Sequence, residues 1–577
     1  MISHVGYLLI LMSIPEVLGI KKLSLAKMNQ TLQVKITNGM IQGTENRGAL
    51  GGTYFSYQGI PFAQPPINNL RFRPPTQPSN WTGVLDATQF SACCAGLQLA
   101  QVLKLNFVAM GEEDCLYLNV YTPQIPSNPS KINLPVIVFL HGGAFISGCS
   151  NEYGPDYLMK HDIILVTSNY RLGVFGFLST EDLECPGNIA SKDNLAVLKW
   201  VQRNIQYFGG DPNKVTLLGQ SAGASLVTIL LLSPKAKGLF QRAILMSGSN
   251  LPFWTYQTEQ RRIAFDLGFS LGIETNSSEV LLQKLRSMDF KTLTKAQSLV
   301  EILNVVRVLT HGLPFTPNIE PHHRGAILTD YTYNLLEKGK FIKVPILAGV
   351  TSLEITTFDV VISKLKPFLV IFDASPGLYV RLTKSSAIKR VVGKKIAAQF
   401  FQRSKFSEAD LQELNELLTD EAFWRPMRKT ISLLSRHVPT YFYQFSYDGA
   451  TGRQLIKTFT GKNITRYERQ HGVGHGIDLS YLFPFALIKG HQPNEADRRL
   501  ITRFCKIFTN FAKTGNPTPT PDVLLDNITW PRTTQGRFPY MNLDESFRVS
   551  SDSFKEENFQ FWESLFKSYA DKPYVVY

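Results

Sequence analysis

Val215-Thr-Leu-Leu-Gly219-Gln220-Ser221-Ala222-Gly223-Ala-Ser-Leu-Val-Thr228 passes from a β-rich apolar run, through small residues, into a helical pattern. A G-x-S-x-G arises by chance in a chain this long with a probability of roughly 0.2, so its position has to supply the meaning. Here the apolar run ends at Gly219 and the helix opens at Ala222, which places Ser221 on a strand-to-helix turn. Small residues on either side suit so sharp a turn, because larger Cβ substituents would clash there. The turn lifts the hydroxyl to the C-terminal edge of a sheet, beside a helix N-terminus that favours negative charge.

Similar runs recur outward from this point: Val136-Ile-Val-Phe-Leu140, Ile163-Ile-Leu-Val-Thr167, Ala243-Ile-Leu-Met246 and Val344-Pro-Ile-Leu347. Runs that are apolar on both faces fit central strands of a parallel sheet covered by helices. After Asp193 the spacing of Leu195, Leu198, Val201 and Ile205 is helical and closes at Phe208-Gly-Gly-Asp-Pro212. Strand, helix and strand in that order predict βαβ units and an α/β fold, a large mostly parallel sheet flanked by helices. No linker or repeat divides the chain. The Pro61–Pro78 stretch is interleaved with aromatic and Arg residues and reads as a packed surface loop.

The 577 residues carry 60 Lys and Arg against 46 Asp and Glu, a net charge of +14. Spread over this length the excess is mild, and no motif turns it toward nucleic acid. Basic residues concentrate between Lys364 and Lys405, where a solvated helix face is the preferred reading over contact with an anionic surface. With 44% hydrophobic residues the chain is globular, and six cysteines are too few for a disulfide scaffold. Gly6 to Pro15 forms an apolar run too short to span a bilayer, so residues 1–19 are read as a signal peptide cleaved after Gly19. Asn-x-Ser/Thr sequons at Asn29, Asn80, Asn276, Asn463 and Asn527 agree with a secreted, glycosylated protein. Beyond the N-terminus no hydrophobic stretch is long enough to cross a membrane.

A serine nucleophile requires a general base. Of ten histidines, His475 in Gly472-Val-Gly-His-Gly-Ile-Asp478 has the glycine-flanked setting of a loop that presents one side chain. His471 lacks that setting, and His141 in His-Gly-Gly-Ala-Phe145 reads as a loop-ordering residue. Two acids lie between Ser221 and His475 as candidates to orient the imidazole, Glu320 and Glu354. Glu354 is preferred because it follows the C-terminal end of a predicted buried strand, where catalytic groups gather in α/β sheets. Donors for a developing oxyanion are available at the backbone of Ala222 and in the Gly142-Gly143-Ala144 loop. A phosphate-binding role for that loop lacks the following Gly-Lys-Ser/Thr. No metal or cofactor is expected.

These residues resemble the type-B carboxylesterases and cholinesterases from about Val34 to Trp562. The likeness extends to Gly59-Ile-Pro-Phe-Ala-Gln-Pro-Pro66, Leu70-Arg-Phe-Arg-Pro-Pro75, Glu113-Asp-Cys-Leu-Tyr-Leu-Asn-Val-Tyr121, Asn169-Tyr-Arg-Leu-Gly173 and Asn510-Phe-Ala-Lys-Thr-Gly-Asn-Pro517. It implies one α/β-hydrolase domain over residues 30–570. It also implies a Ser221–His475–Glu354 triad, an oxyanion hole of Gly143, Ala144 and Ala222, and a Cys93–Cys115 disulfide. Its substrates would be a small-molecule ester and water. Gln220 stands where most of the family has Glu, and no Trp lies between Cys93 and Cys115, so choline esters are disfavoured. The Gly-Gln-Ser-Ala-Gly motif, Arg71-Phe72 and Gly472-x-x-His475-x-x-Asp478 resemble insect juvenile hormone esterases. Asn194 and Ile355 depart from that subgroup. A general carboxylesterase and a non-catalytic adhesion protein on the same fold are the alternatives.

Overall fold

The computed structural model describes residues 32–102, 106–126, 133–304, 307–358, 382–401, 411–461, 472–534, 536–550 and 552–577. The N-terminal segment read as a signal peptide, Asn29, Asn463, His471, and residues 364–381 and 402–405 of the basic stretch lie outside them.

An eleven-stranded sheet organises the chain. In chain order its strands are β1 (Thr44–Arg47), β2 (Thr53–Pro61), β3 (Tyr117–Thr122), β4 (Leu134–Leu140), β5 (Ile164–Ser168), β6 (Gly210–Gln220), β7 (Arg242–Met246), β8 (Ile346–Thr351), β9 (Thr440–Phe445), β10 (Tyr540–Leu543) and β11 (Arg548–Ser550). Across the sheet they run β11-β10-β9-β8-β7-β6-β4-β5-β3-β2-β1. Every neighbouring pair from β5 through β10 is parallel. The antiparallel pairs sit at the two ends. All five apolar runs singled out in the sequence fall on central parallel strands, each extended or shifted by a few residues.

Period-two alternation sends each strand's side chains into two separate cores. Val136, Val138 and Leu140 of β4 face one core, shared with Leu217, Leu245 and Ala348. Ile137 and Phe139 face the other, with Leu218, Ile244 and Leu347. Helices α1 (Ile189–Asn204) and α2 (Ala222–Leu232) cover the first face, and α3 (Glu495–Thr514) covers the second. Burial on both faces is why these strands read as continuous hydrophobic runs.

The Pro61–Pro78 loop is packed as expected: Arg71 is buried and forks onto Glu113, while its Nη1 donates to the carbonyls of Leu285, Arg286 and Met288. Phe72 stacks on Phe175. The described part of the basic stretch, residues 382–401, contains the helix Ser386–Phe400, with Arg390, Lys394 and Lys395 exposed and Val392 and Ile396 buried. This is the solvated face.

The disulfide pattern differs from the one expected. Cys115 pairs with Cys94, not Cys93, and Cys93 pairs with Cys149. Cys94 bridges to Glu112 in an extended stretch, where successive side chains point to opposite sides. Its sulfur turns inward to bond buried Cys115, leaving Cys93 to face the turn at Cys149. Cys185 and Cys505 are free and buried, and burial pushes both thiols well above their ordinary range.

Candidate active site

The turn after β6 is where close packing forces the conformation. Gly223 lies against β4 so tightly that a Cβ would stand 2.1 Å from the Leu140 carbonyl oxygen, and Gly219 faces the Gly223 carbonyl at 2.4 Å on the same test. Ser221 sits between them at φ 56°, ψ −122°, a region that costs a non-glycine residue of order 1–3 kcal/mol. Its N–H donates to the Met246 carbonyl at 2.8 Å, which ties the turn to the neighbouring strand. The result is a serine at the C-terminal edge of the sheet, at the head of α2.

Glu354 opens a short 3-10 turn (Glu354–Phe358) just beyond β8 and is fully buried. One carboxylate oxygen accepts from the Thr351 N–H at 2.7 Å. The other meets His475 Nδ1 at 2.7 Å. An ionised carboxylate only accepts, so the imidazole proton resides on Nδ1 and the Nε2 lone pair faces outward. The loop carrying His475 is fixed from both sides: its N–H donates to the Glu354 carbonyl at 2.9 Å, and Thr357 Oγ1 donates to its carbonyl at 2.9 Å. Phe423 and Phe358 flank the ring at 4.6 and 5.6 Å between centroids.

Ser221 and His475 line one cavity together with Gly142, Gly143, Ala144, Gln220, Thr357, Gly476 and the apolar side chains of Tyr153, Phe358, Leu455, Phe459, Leu479 and Phe485. At Nε2 the hydrogen bond recorded comes from the Gln220 carboxamide, at 3.1 Å. Among the described residues none joins Ser221 Oγ to the ring, and such bonds commonly tighten only when substrate is bound. Gly143 and Ala144 both adopt positive φ, 113° and 54°. Neither N–H donates to a protein acceptor among the described residues. Ala222 is the first residue of α2, so its N–H has no intrahelical acceptor. Three donors are thus free near the serine.

The other sequence candidates fall elsewhere. Glu320 is consumed by Lys192 at 2.6 Å, His323 at 3.0 Å and Asn188 at 3.0 Å, a buried structural knot. His141 orders its loop: Nδ1 meets the Gly142 carbonyl at 2.8 Å, Tyr170 stacks on the ring at 4.3 Å, and burial lowers its pKa to about 4. Asp478 is buried on the turn after His475, takes the Tyr443 hydroxyl proton donor at 3.1 Å, and is raised to about 7 by burial and by Glu354. Asn80, Asn276 and Asn527 are exposed. No His/Cys/Asp/Glu group suited to a metal occurs among the described residues.

Sequence reasoning missed Glu152. It lines the same cavity as Ser221 and His475, half-buried, and burial raises its carboxyl to about 7. No spacing or motif around Cys149-Ser-Asn-Glu152 marks it. Gln220 does remove the carboxylate beside the nucleophile, but Glu152 places one in the cavity from another direction.

The profile of the carboxylesterase family matches residues 30–562. Esterase FE4 of Myzus persicae is 32% identical over 500 residues, covering 85% of each chain. The juvenile hormone esterase of Tribolium castaneum is 30% identical over 573 residues, covering 92% of this chain and 94% of its own. The crystal structure of juvenile hormone esterase from Manduca sexta, with OTFP covalently attached, superposes with a TM-score of 0.79 at 30% identity, covering 93% of this chain and 99% of that one. The fold is therefore that of the α/β-hydrolases. With the family profile spanning nearly the whole sequence, the chain belongs to the carboxylesterase family and is a carboxylic ester hydrolase.

Proposed function

We propose that the chain hydrolyses uncharged, apolar esters, such as juvenile hormone, through an acyl-enzyme on Ser221. The observation that carries this reading is the buried Glu354–His475 pair at 2.7 Å, whose imidazole, with the Gln220 carboxamide at Nε2, lines the cavity that Ser221 also lines. Ser221 Oγ attacks the ester carbonyl while His475 takes its proton and returns it to the leaving alkoxide; water then repeats the cycle on the acyl-enzyme. Glu354 holds the imidazole in the required tautomer and stabilises its cation. The N–H groups of Gly143, Ala144 and Ala222 receive the developing oxyanion, each worth roughly 10²–10³ in rate.

Apolar substrate is supported by the Phe358, Leu455, Phe459, Leu479 and Phe485 walls and by Gln220 beside the nucleophile. A general carboxylesterase is the second reading, because Esterase FE4 is as similar as the hormone esterases. The deciding comparison is kcat/KM for juvenile hormone against short acyl esters of a chromogenic phenol. The hormone should be the better substrate; barely detectable hormone turnover beside rapid cleavage of the short esters would overturn that substrate assignment. The hydrolase domain is taken to span residues 30–570 behind a signal peptide at 1–19, and secretion with glycans at the sequons completes the proposal. Peptide mass mapping of the secreted protein tests it: a mature N-terminus ahead of residue 19, or bare Asn80, Asn276 and Asn527, would contradict it.

A further inference from the structure

The helix Phe290–Asn304 reverses the usual division of a surface helix, with polar groups among its buried side chains and aliphatic ones in water. Leu293, Ala296 and Val300 anchor it to the core, but Gln297, Glu301 and Asn304 are buried with them. Among the described residues no hydrogen-bond partner meets Gln297 Nε2 or Glu301 Oε1. Leu299, Ile302 and Leu303 meanwhile point outward, 48%, 47% and 77% exposed. Spaced at i, i+3 and i+4, they make one aliphatic patch rather than three scattered side chains.

The other end of the same stripe is cationic. Lys291, Lys295, Leu299 and Leu303 follow one another at steps of four, and both lysines are exposed. Glu301 is the helix's one acid and is buried; Asp289, just ahead of the helix, accepts the Thr292 N–H at 3.1 Å. Aliphatic side chains beside lysines, with no acid between them, match the boundary of a phospholipid bilayer. There the aliphatic groups sink below the headgroups while the lysine stems lie along the surface and carry their ammonium groups to the phosphates. A net charge of +14 draws the chain toward anionic headgroups and sets it against a second copy of itself. The helix is also linked to the reacting site. Gln297 Oε1 accepts the Val174 N–H at 3.0 Å, and the Gly173 N–H donates at 2.8 Å to the carbonyl of Phe145, the residue after Ala144.

We propose that the outer face of the helix Phe290–Asn304 docks on anionic phospholipid surfaces, with Leu299, Ile302 and Leu303 inserted at the acyl-chain boundary and Lys291 and Lys295 at the headgroup phosphates. The docking is reversible, since one helix face buries far less apolar surface than a membrane-spanning helix does. It does not depend on which ester Ser221 cleaves.

The test is flotation of the full-length protein with vesicles of phosphatidylcholine and phosphatidylserine in equal parts, and with vesicles of phosphatidylcholine alone. Wild type should bind the mixed vesicles about tenfold more tightly than the neutral ones, the scale set by two lysines at a charged surface. The triple variant Leu299→Ser, Ile302→Ser, Leu303→Ser should lose about tenfold in binding to the mixed vesicles. Lys291→Gln with Lys295→Gln should narrow the difference between the two vesicle types. Both variants should keep kcat/KM on a soluble chromogenic ester, which reports an intact fold; if the triple variant does not fold, Leu303→Ser alone should still weaken binding severalfold. A wild type that floats with neither vesicle would overturn the proposal. So would serine variants that bind like wild type, which would place the contact on another basic surface such as the helix Ser386–Phe400, or a vesicle preference unchanged by loss of the lysines. A wild-type dimer that the serine variant dissolves in sedimentation velocity, with no vesicle binding, would make the occupant a second copy and overturn it equally.

Discussion

The convergence of Ser221, His475 and Glu354 at one edge of the sheet was legible because each sits at a place the sequence marks: a glycine-bracketed turn after an apolar run, a glycine-flanked histidine, an acid just past a buried strand. Glu152 and the aromatic walls carry no such mark, since they converge from a disulfide-anchored turn near residue 150 and from Leu455, Phe459 and Phe485, over 300 residues away in sequence. The geometry makes Glu354→Gln a sharp test of the proposed triad. A carboxamide turned to donate toward Nδ1 favours the wrong tautomer, so kcat should fall on the order of 10³–10⁴ with KM little changed. Steady-state kinetics on a chromogenic ester checks this, and a loss below tenfold would remove Glu354 from its role.

At the scale of elements, strand and helix types were readable from periodicity, whereas contacts between elements were not. Pairing of adjacent Cys93 and Cys94 depends on which way each side chain turns in an extended stretch, and spacing alone does not encode that. Mapping of unreduced peptides should find Cys94 linked to Cys115 and Cys93 to Cys149; a Cys93–Cys115 peptide would refute the structure there. On chain entropy the two links, with separations of 21 and 56 residues, stabilise the fold by about 3 and about 4 kcal/mol taken singly. The α2–β4 contact is equally specific. Gly223→Ala drives a methyl into the Leu140 and His141 carbonyls. We expect a loss of 1–3 kcal/mol or more, read as a lowered Tm.

For the whole molecule, one sheet gathers strands from Thr44 to Ser550, an order that the alternation of apolar runs and helices foretold only in its parallel centre. Buried acids give this body a characteristic response to pH. Burial raises Glu421 and Asp478 to about 7 and Glu301 to about 8, so the folded state holds protons that the unfolded chain releases near pH 4. His141 and His161, lowered to about 4, act in the opposite sense, but only up to the ordinary histidine range. Stability should therefore decline between about pH 6.5 and pH 8, at about 1.4 kcal/mol per pH unit for each proton retained, and level off once Glu301 has ionised. Calorimetry over that range checks it, and Glu301→Gln should flatten the decline. Every step of the proposed hydrolysis depends on Ser221 being an activated nucleophile. Intact-mass analysis after treatment with a fluorophosphonate tests that most directly. Wild type should gain one adduct, mapped by peptide analysis to Ser221, and Ser221→Ala should gain none; an unlabelled wild type, or equal labelling of the variant, would contradict it.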